Sequence, residues 1–228
     1  MLQLAEKTVW YKNDYKTEEW ERSLNELEKV LCVDIPQNKQ FIMSNYYLLQ
    51  LRQKEISKEE FVKKMLEIIE YTIPLECLLG EGEKFLSRDE ATMVFNIGIR
   101  TDNVDNAYME IVREICKKYE EYEEIYSHIR RYEFLMTGVI SYLGNSGEYQ
   151  ESNDLSNRLL KKCLVCRRLH YLSHALYNNL WNDHQRFLCK REDENYQKTV
   201  KKCVALSRMD KTENLTTFFE QKLLSYNN

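Results

Sequence analysis

Five times along the chain a polar stretch suited to capping leads into an aromatic residue and then into apolar residues at helical spacing. The blocks are Thr17-Glu18-Glu19-Trp20, Lys58-Glu59-Glu60-Phe61, Asp105-Asn106-Ala107-Tyr108, Ser146-Gly147-Glu148-Tyr149 and Asp193-Glu194-Asn195-Tyr196. The aromatic residues are separated by 61−20 = 41, 108−61 = 47, 149−108 = 41 and 196−149 = 47 positions, a regular rise in a sequence without low-complexity segments. Leu24, Leu27 and Val30 follow Trp20, and Met65, Ile68 and Ile69 follow Phe61. Val112 and Ile115, then Leu155, Leu159 and Leu160, then Val200, Cys203 and Leu206 repeat the pattern. Each block therefore reads as the start of an amphipathic helix, with Thr17, Ser57, Asp105, Ser146 and Asp193 placed to accept hydrogen bonds from first-turn amides.

The intervening segments have helical periodicity as well, over roughly Asn38–Lys54, Ser87–Thr101, Tyr122–Leu143, His170–Cys189 and Thr212–Leu224. The pattern predicts an all-α chain of about five stacked antiparallel helix pairs. One pair cannot bury its apolar face alone, so successive pairs stack into an α-solenoid with a concave surface. A single repeat domain over residues 1–228 is expected.

Composition agrees with helices: six glycines and two prolines punctuate 228 residues. With 33 basic and 37 acidic residues the formal charge is −4, so no global positive field draws the chain to nucleic acid. No apolar run has transmembrane length and Met1–Tyr15 lacks a signal-peptide pattern, so a cytoplasmic protein without membrane contact is expected. The seven cysteines are scattered, mostly among apolar residues of helical pattern, as reduced core thiols would be.

The stretch Leu143-Gly144-Asn145-Ser146-Gly147-Glu148-Tyr149-Gln150-Glu151-Ser152 resembles the turn between the two helices of a tetratricopeptide repeat. Gly147 and Tyr149 take the turn positions, and Ser152 stands where a small residue lets the helices approach. The repeats exceed that family's period of about 34 residues, which implies lengthened helices. Together with Leu86-Ser87-Arg88-Asp89-Glu90, Asn96 and Tyr177-Asn178-Asn179-Leu180-Trp181, the chain is similar to the C-terminal sensor region of xenobiotic-response-type helix-turn-helix transcription regulators, the Rap, PlcR and PrgX quorum-sensing group. The resemblance covers most of the chain. It implies a right-handed superhelix that binds a short peptide in its concave groove, a homodimer, and DNA contact only through a helix-turn-helix not present in this chain.

In such a superhelix the first helix of each pair lines the groove. Counting back twelve and eight residues from each repeat aromatic gives Leu49 and Gln53, Asn96 and Arg100, Thr137 and Ser141, and His184 and Leu188. Tyr46, Asn145 and Trp181 lie close to the same stripe, and the adjacent asparagines Asn178 and Asn179 are poor helix formers that need a reason to be there. Amides pair with a peptide backbone, a guanidinium takes a carboxylate, and aromatic faces hold side chains. A polar, solvated helix face gives a similar pattern. The alternative use of this surface is a constitutive protein–protein interaction scaffold without a small ligand.

Other chemistry is weaker. Cys163, Cys166, His170 and His174 have zinc-like identities, but on one continuous helix they spread over roughly 16 Å, too far for a single ion unless the helix breaks near Arg167. The basic run around Lys161, Lys162, Arg167 and Arg168 is interspersed with leucines, as on a solvated helix face. No phosphate-binding loop, dinucleotide fingerprint, nucleophile elbow or metalloprotease motif occurs, so neither catalysis nor a cofactor is expected.

Overall fold

The computed structural model describes residues 4–5, 7–8, 12, 16–82, 84–101, 106–118, 132–166 and 169–224. Among them the chain forms eleven helices and no strand: α1 (Thr17–Val30), α2 (Pro36–Gln53), α3 (Lys58–Ile69), α4 (Leu75–Leu79), α5 (Arg88–Gly98), α6 (Ala107–Lys117), α7 (Tyr132–Asn145), α8 (Tyr149–Cys166), α9 (Leu169–Gln185), α10 (Glu194–Met209) and α11 (Glu213–Leu224). All five aromatic-led blocks open a helix: α1, α3, α6, α8 and α10. Asp105, and the part of the Tyr122–Leu143 segment before Tyr132, lie outside the described residues.

The caps are only partly those expected. The Ser57 hydroxyl accepts from the Glu60 amide at 3.1 Å. α1 begins after Lys16 without a side-chain cap, and Asp193 instead accepts from the Lys190 amide at 2.7 Å, tightening the preceding turn. At α6 it is Asn106 whose Oδ1 takes the Met109 amide, at 3.2 Å. Ser87 and Glu90 form a capping box at α5, each side chain bonding the other's backbone amide.

The described chain falls into two compact units, residues 1–112 and 113–228. In the first, α1 packs on α2, α2 on α3 and α3 on α5. Trp20, Leu24 and Leu49 form a buried cluster flanked by Tyr46 and Leu48. Phe61, Met65, Ile68 and Ile69 of α3 are also buried, whereas Val30, at the end of its helix, is exposed. Gly98 lies so close to α6 that an added Cβ would meet the Met109 Sδ at 2.7 Å, which is why a residue without a side chain ends α5.

In the second unit, α8 packs on α7 and α9, α9 on α7 and α10, and α10 on α11. Its largest cluster, Tyr196, Val200, Cys203, Val204 and Phe219, packs against Leu176, Tyr177 and Leu180 of α9. Ser152 is buried at the α7–α8 contact, and its hydroxyl donates to the Ile140 carbonyl at 2.8 Å. Cys116, Cys163 and Cys203 are buried as thiols, and burial pushes Cys116 and Cys203 up to about 12. Cys32 and Cys77, against the core expectation, are exposed.

Four helices end in the same turn. The amides of Glu55, Glu148, Leu188 and Thr212 reach back to the carbonyls of Gln50, Leu143, Asp183 and Ser207, with Lys54, Gly147, Phe187 and Lys211 in the left-handed region. Only one of these four positions is a glycine. The chain keeps its helix reversals without the residue that makes them easiest.

Candidate functional site

The inner stripe read from the sequence is carried by α2, the end of α5, α7 and α9. In the first unit, Tyr46 is half-buried and donates its hydroxyl to Asn25 Oδ1 at 2.6 Å and to Glu28 Oε2 at 3.1 Å, so it bridges α2 to α1. Burial and that hydrogen bond to Glu28, aided by the negative charge of Glu28 and Glu21, push its phenol up to about 12. Leu49 is buried against Trp20 and belongs to the core, while Gln53, the last residue of α2, is exposed. Asn96 and Arg100 are brought together: Arg100 Nη1 donates to both the Asn96 carbonyl and Asn96 Oδ1 at 3.0 Å. Asn96 Nδ2 in turn donates to the Thr92 carbonyl at 2.8 Å.

In the second unit, Ser141 and Asn178 meet between α7 and α9, the hydroxyl donating to Asn178 Oδ1 at 3.4 Å. The Asn178 Nδ2 has no partner among the described residues, and the residue is half-exposed. Trp181, one turn further along α9, lies over Gly144. An added Cβ there would meet its ring at 3.1 Å, and the same ring stands edge-on to Tyr149 with centroids 6.4 Å apart. Thr137 is nearly buried and its hydroxyl donates to the Phe134 carbonyl within α7. Asn145 is exposed at the end of α7. His184 turns toward α10, packing edge-on to Tyr196, with Nδ1 3.2 Å from the Cys189 carbonyl and Nε2 accepting from Arg191 Nε at 3.0 Å. Leu188 lies beyond the end of α9.

Two further polar features stand beside the expected stripe: the partner of Asn179, a residue the sequence singles out, with the unforeseen Asn182, and the unforeseen Arg52. Asn179 donates to Asn157 Oδ1 at 2.9 Å, and the buried Asn182 donates to Ser152 Oγ at 2.8 Å and Asn153 Oδ1 at 2.7 Å. The carboxamide oxygens of both are buried without a partner. The i, i+3 spacing of Asn179 and Asn182 was the available signal, since it puts both on one helix face, where they bond to α8; Asn178 meets Ser141 of α7, and Asn182 also lies against Gly144. The second is Arg52 of α2, whose guanidinium lies 4.9 Å from the Trp20 ring and donates to the Lys12 carbonyl at 2.7 Å. It is three residues from Leu49 and was hidden by the fixed counting register.

The zinc-like set is not assembled from described side chains: those of Cys166 and His170 lie outside them, and no group of three or more metal-ligating residues occurs among the described residues. No helix among them is long and apolar enough to cross a membrane.

Two solved structures share this arrangement of helices. One is Bacillus thuringiensis PlcR in its apo form, with a TM-score of 0.67 at 12% identity, covering 97% of this chain and 77% of that one. The fold is PlcR-like. A second PlcR structure, in complex with the peptide PapR7 and DNA, has a TM-score of 0.66 at 12% identity and covers 95% of this chain and 72% of that one. The sequence matches no protein-family model, and no curated protein matches it. In this PlcR-like fold the expected stripe is distributed over both units, with Asn96–Arg100 in one and Ser141–Asn178–Trp181 in the other.

Proposed function

We propose that this chain is the ligand-sensing domain of a transcription regulator and binds a short peptide along its inner helices. The observation that carries the reading is the fold shared with a PlcR chain solved with a peptide and DNA. The polar pairs on the inner helices support it. Asn178 offers an unused amide beside Ser141 and the Trp181 ring, the groups an extended backbone and its side chains need. In this reading residues 1–228 act as one repeat domain, DNA is contacted through a helix-turn-helix outside this chain, and a cytoplasmic homodimer transmits the peptide signal. Peptide binding works as a switch only if the peptide favours one arrangement of the dimer over another.

Calorimetric titration of the purified chain with short peptides encoded beside its gene tests the proposal. Binding that weakens about tenfold or more in Asn178→Ala, with unchanged folding, is the expected result. Absence of peptide binding, with a partner protein retained through the same helices, would replace the sensor with a constitutive scaffold.

A further inference from the structure

We propose that Arg100 forms a carboxylate-binding site in the N-terminal unit that takes a carboxylate group of the peptide ligand. This rests on the peptide-sensing reading and adds the chemistry and the place at which the anionic part of that peptide docks.

The geometry holds the Arg100 guanidinium still and leaves one edge of it open. Its backbone amide is fixed to the Ile97 carbonyl at 3.0 Å in the turn that follows α5. Its Cζ lies 4.9 Å from the centroid of the Phe61 ring, which is itself fully buried, so the planar group rests on an apolar floor. Nη1 is used twice on Asn96, and Asn96 is locked to the Thr92 carbonyl. The Nε and Nη2 donors, the pair that binds a carboxylate in parallel, have no acceptor among the described residues, and neither is sealed from solvent.

Charge points the same way. Burial, and after it the positive charge of Arg52, both disfavour the Arg100 cation, and no carboxylate acts on it. Several other basic side chains among the described residues have acidic partners. Arg113 is paired with Glu148 and Glu151, Arg208 with Glu220, Lys162 with the buried Glu133, and Arg88 with Asp89. Arg100 instead has only neutral acceptors and a like charge nearby. A partly desolvated guanidinium in the field of another cation gains from an anion at its open edge, which offsets both costs. Each of the two cations is backed by the leading aromatic residue of a repeat, Arg52 by Trp20 and Arg100 by Phe61, so the helical core itself aims both cations.

The carboxylate has two possible sources in a peptide, its C-terminus or an Asp or Glu side chain. Three synthetic pools of short random peptides separate them: one with free C-termini and no Asp or Glu, one amidated with Asp and Glu retained, and one amidated and without either residue. Affinity selection on the wild-type chain is expected to enrich binders from one or both carboxylate-bearing pools and to leave the third at least about tenfold weaker. The pool that enriches names the source. The selected peptides should lose about tenfold or more in Arg100→Gln and less in Arg100→Lys, which keeps the charge but not the fork, with melting temperatures showing that both variants fold. Binders as tight from the carboxylate-free pool, or full affinity in a folded Arg100→Gln, overturn the site while leaving the peptide reading standing. No binder from any pool overturns the peptide reading and this inference with it.

Discussion

Asn182 donates through Nδ2 to Ser152 Oγ at 2.8 Å, and the same serine hydroxyl donates to the Ile140 carbonyl at 2.8 Å, so one small side chain joins α7, α8 and α9. Both residues are buried. Ser152→Ala removes the bridge but leaves Asn182 its second acceptor, Asn153, and is expected to cost about 1 kcal/mol. Ser152→Val also overfills the contact and should cost a further ~1–3 kcal/mol. Urea denaturation of the two variants checks this, and a valine tolerated as well as alanine would refute the close packing.

The left-handed positions make a sharper test because the sign of the effect differs between them. Gly147, at φ 84°, sits in open space, so Gly147→Ala should destabilise by roughly 1 kcal/mol through backbone conformation alone. Phe187, at φ 58°, is 95% exposed and has little packing to lose. Phe187→Gly should therefore raise stability, by up to about 1 kcal/mol once the greater freedom of glycine in the unfolded chain is counted. A fall in melting temperature for Phe187→Gly would show that this ring packs on something.

Glu133 is fully buried and faces Lys162 at 4.0 Å across the α7–α8 contact. Lys162→Met leaves a buried carboxylate without this cation and is expected to cost about 3–5 kcal/mol. Adding Glu133→Leu should restore most of the loss, since an apolar pair of similar volume has no charge to desolvate. A double variant as unstable as the single one would mean that shape, rather than charge, governs this contact.

Tyr46 sets a dependence on alkaline pH. Its folded pKa, about 12, lies above the ordinary value of 10.0, so the folded state favours the protonated phenol. The resulting stabilisation is complete below pH 10 and is lost as pH rises from there through 12. Phenolate absorbance should show late-titrating tyrosines, with Tyr108 also raised by burial, and lose one of them in Tyr46→Phe, and the difference in stability between wild type and variant should shrink over the same window. A late titration that loses no amplitude in Tyr46→Phe would assign it wholly to other tyrosines such as Tyr108.

How far the site could be read from the sequence depends on loop length. The repeat aromatics were visible because burial of one helix face imposes a periodicity that residue type alone reveals. The register of the expected polar stripe was not, because it was carried over from each aromatic by a fixed count. The helices before the repeat aromatics end 61−53 = 8, 108−98 = 10, 149−145 = 4 and 196−185 = 11 residues before the next repeat aromatic. A constant offset of eight therefore reaches Ser141 inside α7, but the last residue of α2 at Gln53 and points beyond α5 and α9 at Arg100 and Leu188. Arg100 reaches its neighbours through the turn after α5 rather than from the helix face.

The sequence by itself determined the five aromatic-led helices and the helical segments between them, because these follow from local periodicity, while the turn at Gly147 and the small residue at Ser152 came from the resemblance to a tetratricopeptide turn. Only the tertiary structure decided which polar groups meet. That Arg100 rests on Phe61, that Ser141 finds Asn178, and that Asn182 bonds to α8 while His184 turns to α10 all depend on how neighbouring helices are rotated and how far each turn carries the chain. Those quantities arise from packing many side chains at once, and no single stretch of sequence contains them.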